Sequence, residues 1–552
     1  VSDEDSDPKL VLGPLLRYVS ETEATIWVEA DSPCEVEILG RREPTFTVEE
    51  HHYALVRIEG LEPDSFNEYE VRLDGERHWP PVDSELPPSA IRTLGGDDPI
   101  DVCFGSCRVA LPHEEPYTET KDRHEDGKEY DALRVLAREM IRGEHSQWPE
   151  FLFLLGDQVY VDEGSPRTRE KIRRRRGTDS PPGEEVVDYE EYSWLYEESW
   201  SDPLIRWLLS TVSVSMQWDD HDMSDDWNIS RSWLEEMRRK SWWHGRATAG
   251  IMSYWVYQHL GNLSPRALEE DDLYGQIRGN VHATSVLREF ATGVHSTANG
   301  SRWSFCRDLG RTRVIFMDSR AGRVLDEGER SMVDEEEWEW IVDHASGDFD
   351  HLLLATTVPW LLSPGFHHLE AWSERICDGA WGGLAARAVE KLRRGLDFDH
   401  WASFGKSFQL LRELLEEVGS GRRGKPPASI VVLSGDVHHA YLAETAFPSA
   451  GIESAIYQAV CSPYRNPLEL NERRAIRIGF SRPFIAAMRA LAGTAGTADP
   501  GMRWRLAEGP YFDNQVATLR LDGREARMKL DKTVPGEDEE RHLDCVFERR
   551  IV

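Results

Sequence analysis

Four short segments concentrate side chains able to hold a cation or move a proton. They are Gly105-Ser106-Cys107, Gly156-Asp157-Gln158-Val159-Tyr160, Trp218-Asp219-Asp220-His221-Asp222 and Gly435-Asp436-Val437-His438-His439. Carboxylates, imidazoles and thiols are the donors of metal sites and the groups of general acid–base catalysis. In Asp219–Asp222, three carboxylates and an imidazole are contiguous. That is electrostatically costly unless a cation sits among them or they spread into solvent, and the bracketing Trp218 and Trp227 argue against full exposure. Asp436 and His438 stand in a DxH spacing, which on extended backbone directs both side chains the same way; the competing reading is a satisfied buried His with a capping Asp. Gly156 lets the chain turn sharply before Asp157, whose carboxylate then serves either a cation or the cap of a following helix. Tyr160 becomes a ligand only if a strongly charged metal ionises it, and is otherwise a core phenol. Cys107 lies beyond a Gly-Ser turn and next to Arg108, where a thiolate would be stabilised; the competing role is that of a small buried apolar residue.

Each segment immediately follows an apolar run, the place where open α/β sheets put their sites. The runs Asp101–Gly105, Phe151–Leu155, Val212–Trp218, Arg313–Met317, Leu352–Thr356, Ile430–Leu433 and Ala455–Val460 read as strands covered on both faces, so an α/β layered sandwich flanked by helices is expected over residues 98–552. Leu133, Leu136, Met140 and Ile141 mark one amphipathic helix between the first two. Residues 1–97 differ in texture. Short runs at Leu12–Val19, Ala24–Ala30, Cys34–Leu39, Thr45–Glu50, Ala54–Glu59 and Asn67–Leu73 predict a small antiparallel sandwich. The segment LEPDSFNEYEVRL (61–73) resembles part of a fibronectin-type module, and Gly95–Pro99 reads as the linker. Helical insertions are expected near 163–211 and 229–300, of a size that often supplies lids or walls of an active site. The basic run Lys171–Arg176 in the first reads as a solvated helix end rather than a substrate attractor, because the rest of that insertion is acidic.

The chain has 552 residues, so two domains are expected. Its 40% hydrophobic content excludes a disordered protein, and no apolar run approaches the roughly 20 residues of a membrane span. A net charge of −36 disfavours a nucleic-acid partner. Seven scattered Cys without a CxxC pair suit a reducing compartment, and the acidic start VSDEDSDPKL carries no export signal. A cytoplasmic location is therefore expected, with export only as the product of a trimmed precursor. The oligomeric state is not legible.

Together GSC (105–107), GDQVYVDE (156–163), WDDHD with a following Trp-Asn (218–228), MDSRAGR (317–323) and SGDVHH (434–439) resemble the PhoD-type alkaline phosphatases of the calcineurin-like metallophosphoesterase superfamily. The resemblance spans roughly residues 100–465 in order, and a preceding small β-sandwich is usual there. It implies hydrolysis of small-molecule phosphate esters, mono- or diesters, by a hydroxide held on two metals. Asp157 takes the bridging position, Asp220 a metal-ligand slot and His221 the catalytic one. Asp436 replaces the first His of a GHxH motif, and His438 keeps the second. The usual DxH after the first strand is absent, and the resemblance implies that Cys107 and Tyr160 fill the gap. A centre of Cys107, Tyr160, Asp157 and His438 suits Fe(III), and one of Asp157, Asp220 and Asp436 suits Ca, or Mg or Mn.

Asp225 and Asp226 stand where the family often has Asn-Asn, and with Asp222 they are candidates for a further metal or substrate contact. Arg108, Arg320 and Arg323 are candidates to bind phosphate oxygens, an ion pair with a neighbouring carboxylate being the rival role for the last two. Thr356 or Thr357 stands where a lone ligand His is usual, and His439 receives no role. A rival function is a catalytically inactive metal-binding scaffold of the same fold. A third, a carbohydrate-binding protein led by the N-terminal sandwich, has only the 20 Trp in its favour.

Overall fold

The computed structural model describes residues 7–96, 98–296, 301–448, 451–535 and 541–552. Val1–Ser6 of the acidic start, Asp97 of the expected linker and residues 297–300 of the second insertion lie outside them. Ten strands open the chain: β1 (Leu10–Val19), β2 (Glu23–Ala30), β3 (Glu35–Ile38), β4 (Arg41–Pro44), β5 (Phe46–Val48), β6 (His51–Glu59), β7 (Phe66–Glu68), β8 (Val71–Leu73), β9 (Glu76–Trp79) and β10 (Ala90–Arg92). They pair as sheets β1-β2-β6-β5 and β4-β3-β8-β9 with a ribbon β10-β7. The single strand expected over Asn67–Leu73 is two, β7 and β8, which serve different sheets.

Strand alternation gives this region two buried faces. Ile26 and Val28 of β2 meet Val36, Val56 and Val71 inside the sandwich. Trp27 points the other way, into a core shared with the insertion helices, where it meets Trp200 and Tyr257. Arg17 crosses the same boundary fully buried, donating to the carbonyls of Val214, Tyr257 and Gln258 at 3.2, 2.8 and 2.6 Å and to Asn262 Oδ1 at 3.1 Å. Arg17→Ala would strand these acceptors, and a loss of about 3 kcal/mol or more is expected from the urea midpoint, hydrogen bonds to a charged donor being worth about 1.5–3 kcal/mol each. An unchanged midpoint would mean that the two regions dock independently of this residue.

The larger region stacks two sheets. One runs β13-β12-β11-β21-β22-β23, with β11 (Ile100–Gly105), β12 (Phe151–Leu155) and β13 (Ser213–Gln217) parallel and β21 (Gln515–Asp522), β22 (Glu525–Pro535) and β23 (Arg541–Arg550) antiparallel. The other runs β14-β15-β16-β17-β19-β18-β20, built from β14 (Phe305–Leu309), β15 (Thr312–Phe316), β16 (His351–Ala355), β17 (Ser429–Ser434), β18 (Ala440–Ala446), β19 (Ala455–Val460) and β20 (Arg503–Tyr511). Within it β15, β16, β17 and β19 are parallel.

Apolar runs pack on both sides, as their composition predicts. Phe151, Phe153 and Leu155 of β12 enter the inter-sheet core with Val102, Phe104, Phe316, Leu353 and Val431, while Leu152 and Leu154 face the helices outside. Helix Ala132–Arg142 lies there, capped by Asp131, which accepts from the amides of Leu133 and Arg134. Residues 163–211 and 229–296 are largely helical. Helices Pro166–Arg175, Tyr189–Trp200 and Pro203–Thr211 form the first, and Trp243–Ser253 and Thr284–Ser296 belong to the second. Their aromatic residues go mainly into the core shared with the N-terminal region, so these helices bind the two regions together rather than only walling a cleft. Each arginine of the Lys171–Arg176 run is ion-paired to a carboxylate, as a helix end among acidic residues would be. No helix of the described residues is long and apolar enough to cross a membrane.

Candidate functional site

The parallel strands of both sheets release their chains at one edge of the sandwich. There β11 delivers Cys107, β12 delivers Asp157, β13 delivers Asp219 and Asp220, β15 delivers Arg320, and β17 delivers Asp436 and His438. The two sheets close tightly at this edge. A Cβ on Gly435 would fall 2.1 Å from Ser106 Oγ of the other sheet; within the first sheet, one on Gly156 (φ +117°) would fall 2.8 Å from Asp219 Cβ. Ser106 Oγ accepts from the Asp436 amide at 2.8 Å and lies 3.0 Å from Cys107 Sγ, tying the first sheet to the second. Cys107, Asp157, Asp436 and His438 have φ of +57°, +52°, +65° and +51°. Left-handed backbone is uncommon outside glycine and is held only where surrounding structure enforces it, often at functional sites.

Ligand atoms of Cys107, Asp157 and His438 lie within 4.8 Å of one another. Tyr160 joins them, donating to Asp157 Oδ2 at 3.3 Å, while Asn466 Nδ2 approaches its Oη at 3.5 Å. Every member is held away from its ordinary titration. Burial, then Asp157 and Asp436, pushes the Cys107 thiol far up; burial, then Asp157 and Cys107, does the same to Tyr160. Burial outweighs His221 and, with Asp220, Asp222 and Asp436, raises Asp157. Burial lowers His438 to about 3, leaving a neutral imidazole. Asp157 Oδ1 is buried without a hydrogen-bond partner. A thiol, a phenol and a carboxylate with an unpartnered oxygen, beside a neutral imidazole, fit a cation, whose charge favours the three anions and leaves the imidazole neutral.

A second group unites Asp157, Asp219 and Asp220, and Asp219 Oδ2 is again buried without a partner. Asp219 enters here in addition to the expected set. Asp436 stands beside it, with Oδ1 3.3 Å from Arg320 Nη2, which is also 3.2 Å from Asp220 Oδ1. Burial opposes its charge, yet His400 and Arg320 hold the Asp436 carboxyl far below its usual range. A third group is Asp220, His221 and Asp225. Burial and neighbouring carboxylates push Asp225 up to about 7 and Asp226 to about 9, and the Asp226 amide donates to Asp220 Oδ2 at 3.1 Å. His221 Nδ1 meets Asp162 Oδ1 at 3.1 Å. Burial works against its charge, but this bond and the surrounding carboxylates raise it well above the ordinary value.

Three residues assigned from sequence are occupied otherwise. Arg108 pairs with Asp131 at 2.7 Å and donates to the Ser199 carbonyl at 2.6 Å, anchoring a helix cap rather than facing the ligands. Asp222 spends both oxygens on the chain: Oδ2 accepts from the Asp219 amide at 2.9 Å, and Oδ1 from the Val159 amide at 3.2 Å and Gln258 Nε2 at 3.1 Å. Arg320 is buried among four carboxylates, bonded to Asp219 and Asp399 and close to Asp220 and Asp436, so it neutralises the site from within. Arg323 likewise pairs with Asp399, 3.3 Å away, and Thr357 bonds Ser319 through the two hydroxyls at 2.8 Å. His439 is buried, its Nδ1 2.7 Å from the Val437 carbonyl. Asp162, Asp399, His400 and Glu370 escaped the sequence reading. Asp162 lies inside the GDQVYVDE segment, where Asp157 drew attention, and the other three follow no apolar strand.

Residues 125–292 match the family described as PhoD-like phosphatase, a stretch containing Asp157, Tyr160, Asp220 and His221. Residues 7–91 match a domain of unknown function, DUF7800. No curated protein matches the sequence. Among solved structures, one titled "Structure of PhoD" superimposes with a TM-score of 0.58 at 11% identity, covering 100% of this chain and 94% of that one.

Proposed function

We propose that this chain, which carries a PhoD-like phosphatase segment, is a phosphoric ester hydrolase, a two-cation phosphoesterase acting on small-molecule mono- or diesters. The observation that carries the reading is the convergence of Cys107, Asp157 and His438 on left-handed backbone around the unpartnered Asp157 Oδ1. Cys107, Tyr160, Asp157 and His438 would hold one cation, and three anionic donors including a phenolate favour Fe(III). Asp157, Asp220 and Asp436, with Asp219 adjacent, would hold a divalent ion through oxygen alone, which suits Ca, Mg or Mn rather than Zn, and Ca is the ion that the PhoD resemblance implies. Asp225 and Asp226 border the second position and are the residues available to a further divalent ion. Such cations supply Lewis-acid polarisation of phosphoryl oxygens and a water of lowered pKa.

The chain's own groups do the rest. His221, protonated through its bond to Asp162, donates a proton to the leaving oxygen. Burial opposes the charge of Asp399 and Asp436, and Arg320 helps to hold both carboxyls below their usual range. Arg108 supports the wall behind Asp157 by holding Asp131 and Ser199. His221→Ala is expected to lower kcat on p-nitrophenyl phosphate and its bis-ester by about 10²–10⁴-fold, the range of general acid catalysis. Metal content by elemental analysis should stay unchanged. Wild-type protein should also show a visible thiolate- or tyrosinate-to-Fe(III) band that Tyr160→Phe alters. A colourless zinc protein refutes the iron assignment, and a wild type inert on both esters refutes the hydrolase.

A further inference from the structure

We propose that His400 is a positioning residue for Asp436, fixed in turn by Glu370, and that this pair sets how tightly the carboxylate-rich centre holds its divalent ion. His400 lies in the loop between helices Gly383–Gly395 and Gly405–Gly419, far in sequence from every segment that carries a ligand. Its Nδ1 is 2.8 Å from Oε1 of Glu370, which is buried on helix Pro364–Cys377. The other oxygen of Glu370 accepts from Ser403 Oγ at 3.1 Å, so the carboxylate cannot turn away. When one ring nitrogen of a histidine is tied in this way, the direction of the other is set. Nε2 is buried with no hydrogen-bond partner and points at Asp436 Oδ2, 3.5 Å away. Asp436 Oδ1 faces Arg320. The carboxylate is therefore flanked by a guanidinium from β15 and an imidazole from the helix-linking loop.

Asp436 shares Arg320 Nη2 with Asp220, which ties it to the carboxylate-rich group, and His400 meets that group through Asp436. His400 is fixed at Nδ1 by Glu370 and turns its other ring nitrogen toward the site. Residues that orient metal ligands are worth about 10–100-fold in affinity.

The proposal rests on the reading that Asp436 belongs to the divalent centre, and the test separates the two. Ca²⁺ and Mn²⁺ are titrated calorimetrically into chelator-treated wild type, Asp436→Asn, His400→Leu, His400→Gln and Glu370→Gln, with iron content and melting temperature followed in parallel. His400→Leu should weaken divalent binding by about 10–100-fold, leaving iron in place. His400→Gln, whose amide nitrogen reaches the position of Nε2, should recover most of the loss. Glu370→Gln should shift affinity in the same direction as His400→Leu. Wild-type affinity in His400→Leu beside a loss in Asp436→Asn overturns the proposal alone. Equal losses in the Leu and Gln variants, tracking a fall in melting temperature, make His400 merely structural and also overturn it. Wild-type affinity in Asp436→Asn removes the divalent-centre reading and this proposal with it.

Discussion

Asp157→Asn is expected to cost at least about 100-fold in kcat/KM, because even residues that only orient metal ligands are worth about 10–100-fold. It is also expected to stabilise the metal-free protein. Asp157 is buried, its Oδ1 has no partner, and burial with three neighbouring carboxylates raises its pKa. An amide keeps the shape and carries no charge at any pH, so the penalty that burial and neighbouring carboxylates place on the ionised form disappears. The two effects have opposite signs and one cause: a site assembled for a cation is strained without it. Urea midpoints of chelator-treated wild type and variant, beside kinetics of the metal-loaded proteins, test both. Ordinary turnover in the variant, or lower stability without metal, would show that Asp157 is not a ligand.

Chelation is the second large effect. Removing the cations should abolish turnover and make stability fall as pH rises from about 6.5 to 9. Asp222 sits at about 7 and Asp226 at about 9, both raised chiefly by burial, so the folded chain keeps protons there that the unfolded chain has released. His221, raised above 6.5, acts in the same direction over the same window. The histidines whose pKa burial lowers, such as His438 at about 3, are neutral in both states above 6.5 and do not oppose the trend. Stability therefore declines with pH by about 1.4 kcal/mol per pH unit for each proton retained only by the folded chain. Added divalent ion should flatten the slope, since it holds carboxylates ionised. Equal melting temperatures at pH 6.5 and 9 after chelation would refute the account.

The segments that deliver Cys107, Asp157, Asp220, Asp436 and His438 were legible because each stands after a run of apolar residues long enough to be a buried strand. A hydrophobic period and a terminal polar residue are local facts, readable from a dozen positions. The alternation that sends Phe153 to one core and Leu152 to the other is equally local. The antiparallel strands β14, β18 and β20–β23 lie outside the runs read as strands; in β20 and β23 exposed and half-buried residues interrupt the apolar pattern.

From the sequence alone come the donor types, their order and the edge of the sheets at which they gather, since these follow from strand composition and chain direction. Tertiary structure decided which charges neutralise which: Arg320 among Asp219, Asp220, Asp399 and Asp436, Asp162 behind His221, and Glu370 behind His400. Those pairings join elements up to 116 residues apart. The energy of a buried charge depends on distance through space and on lost water, and neither quantity is encoded in any single stretch of chain.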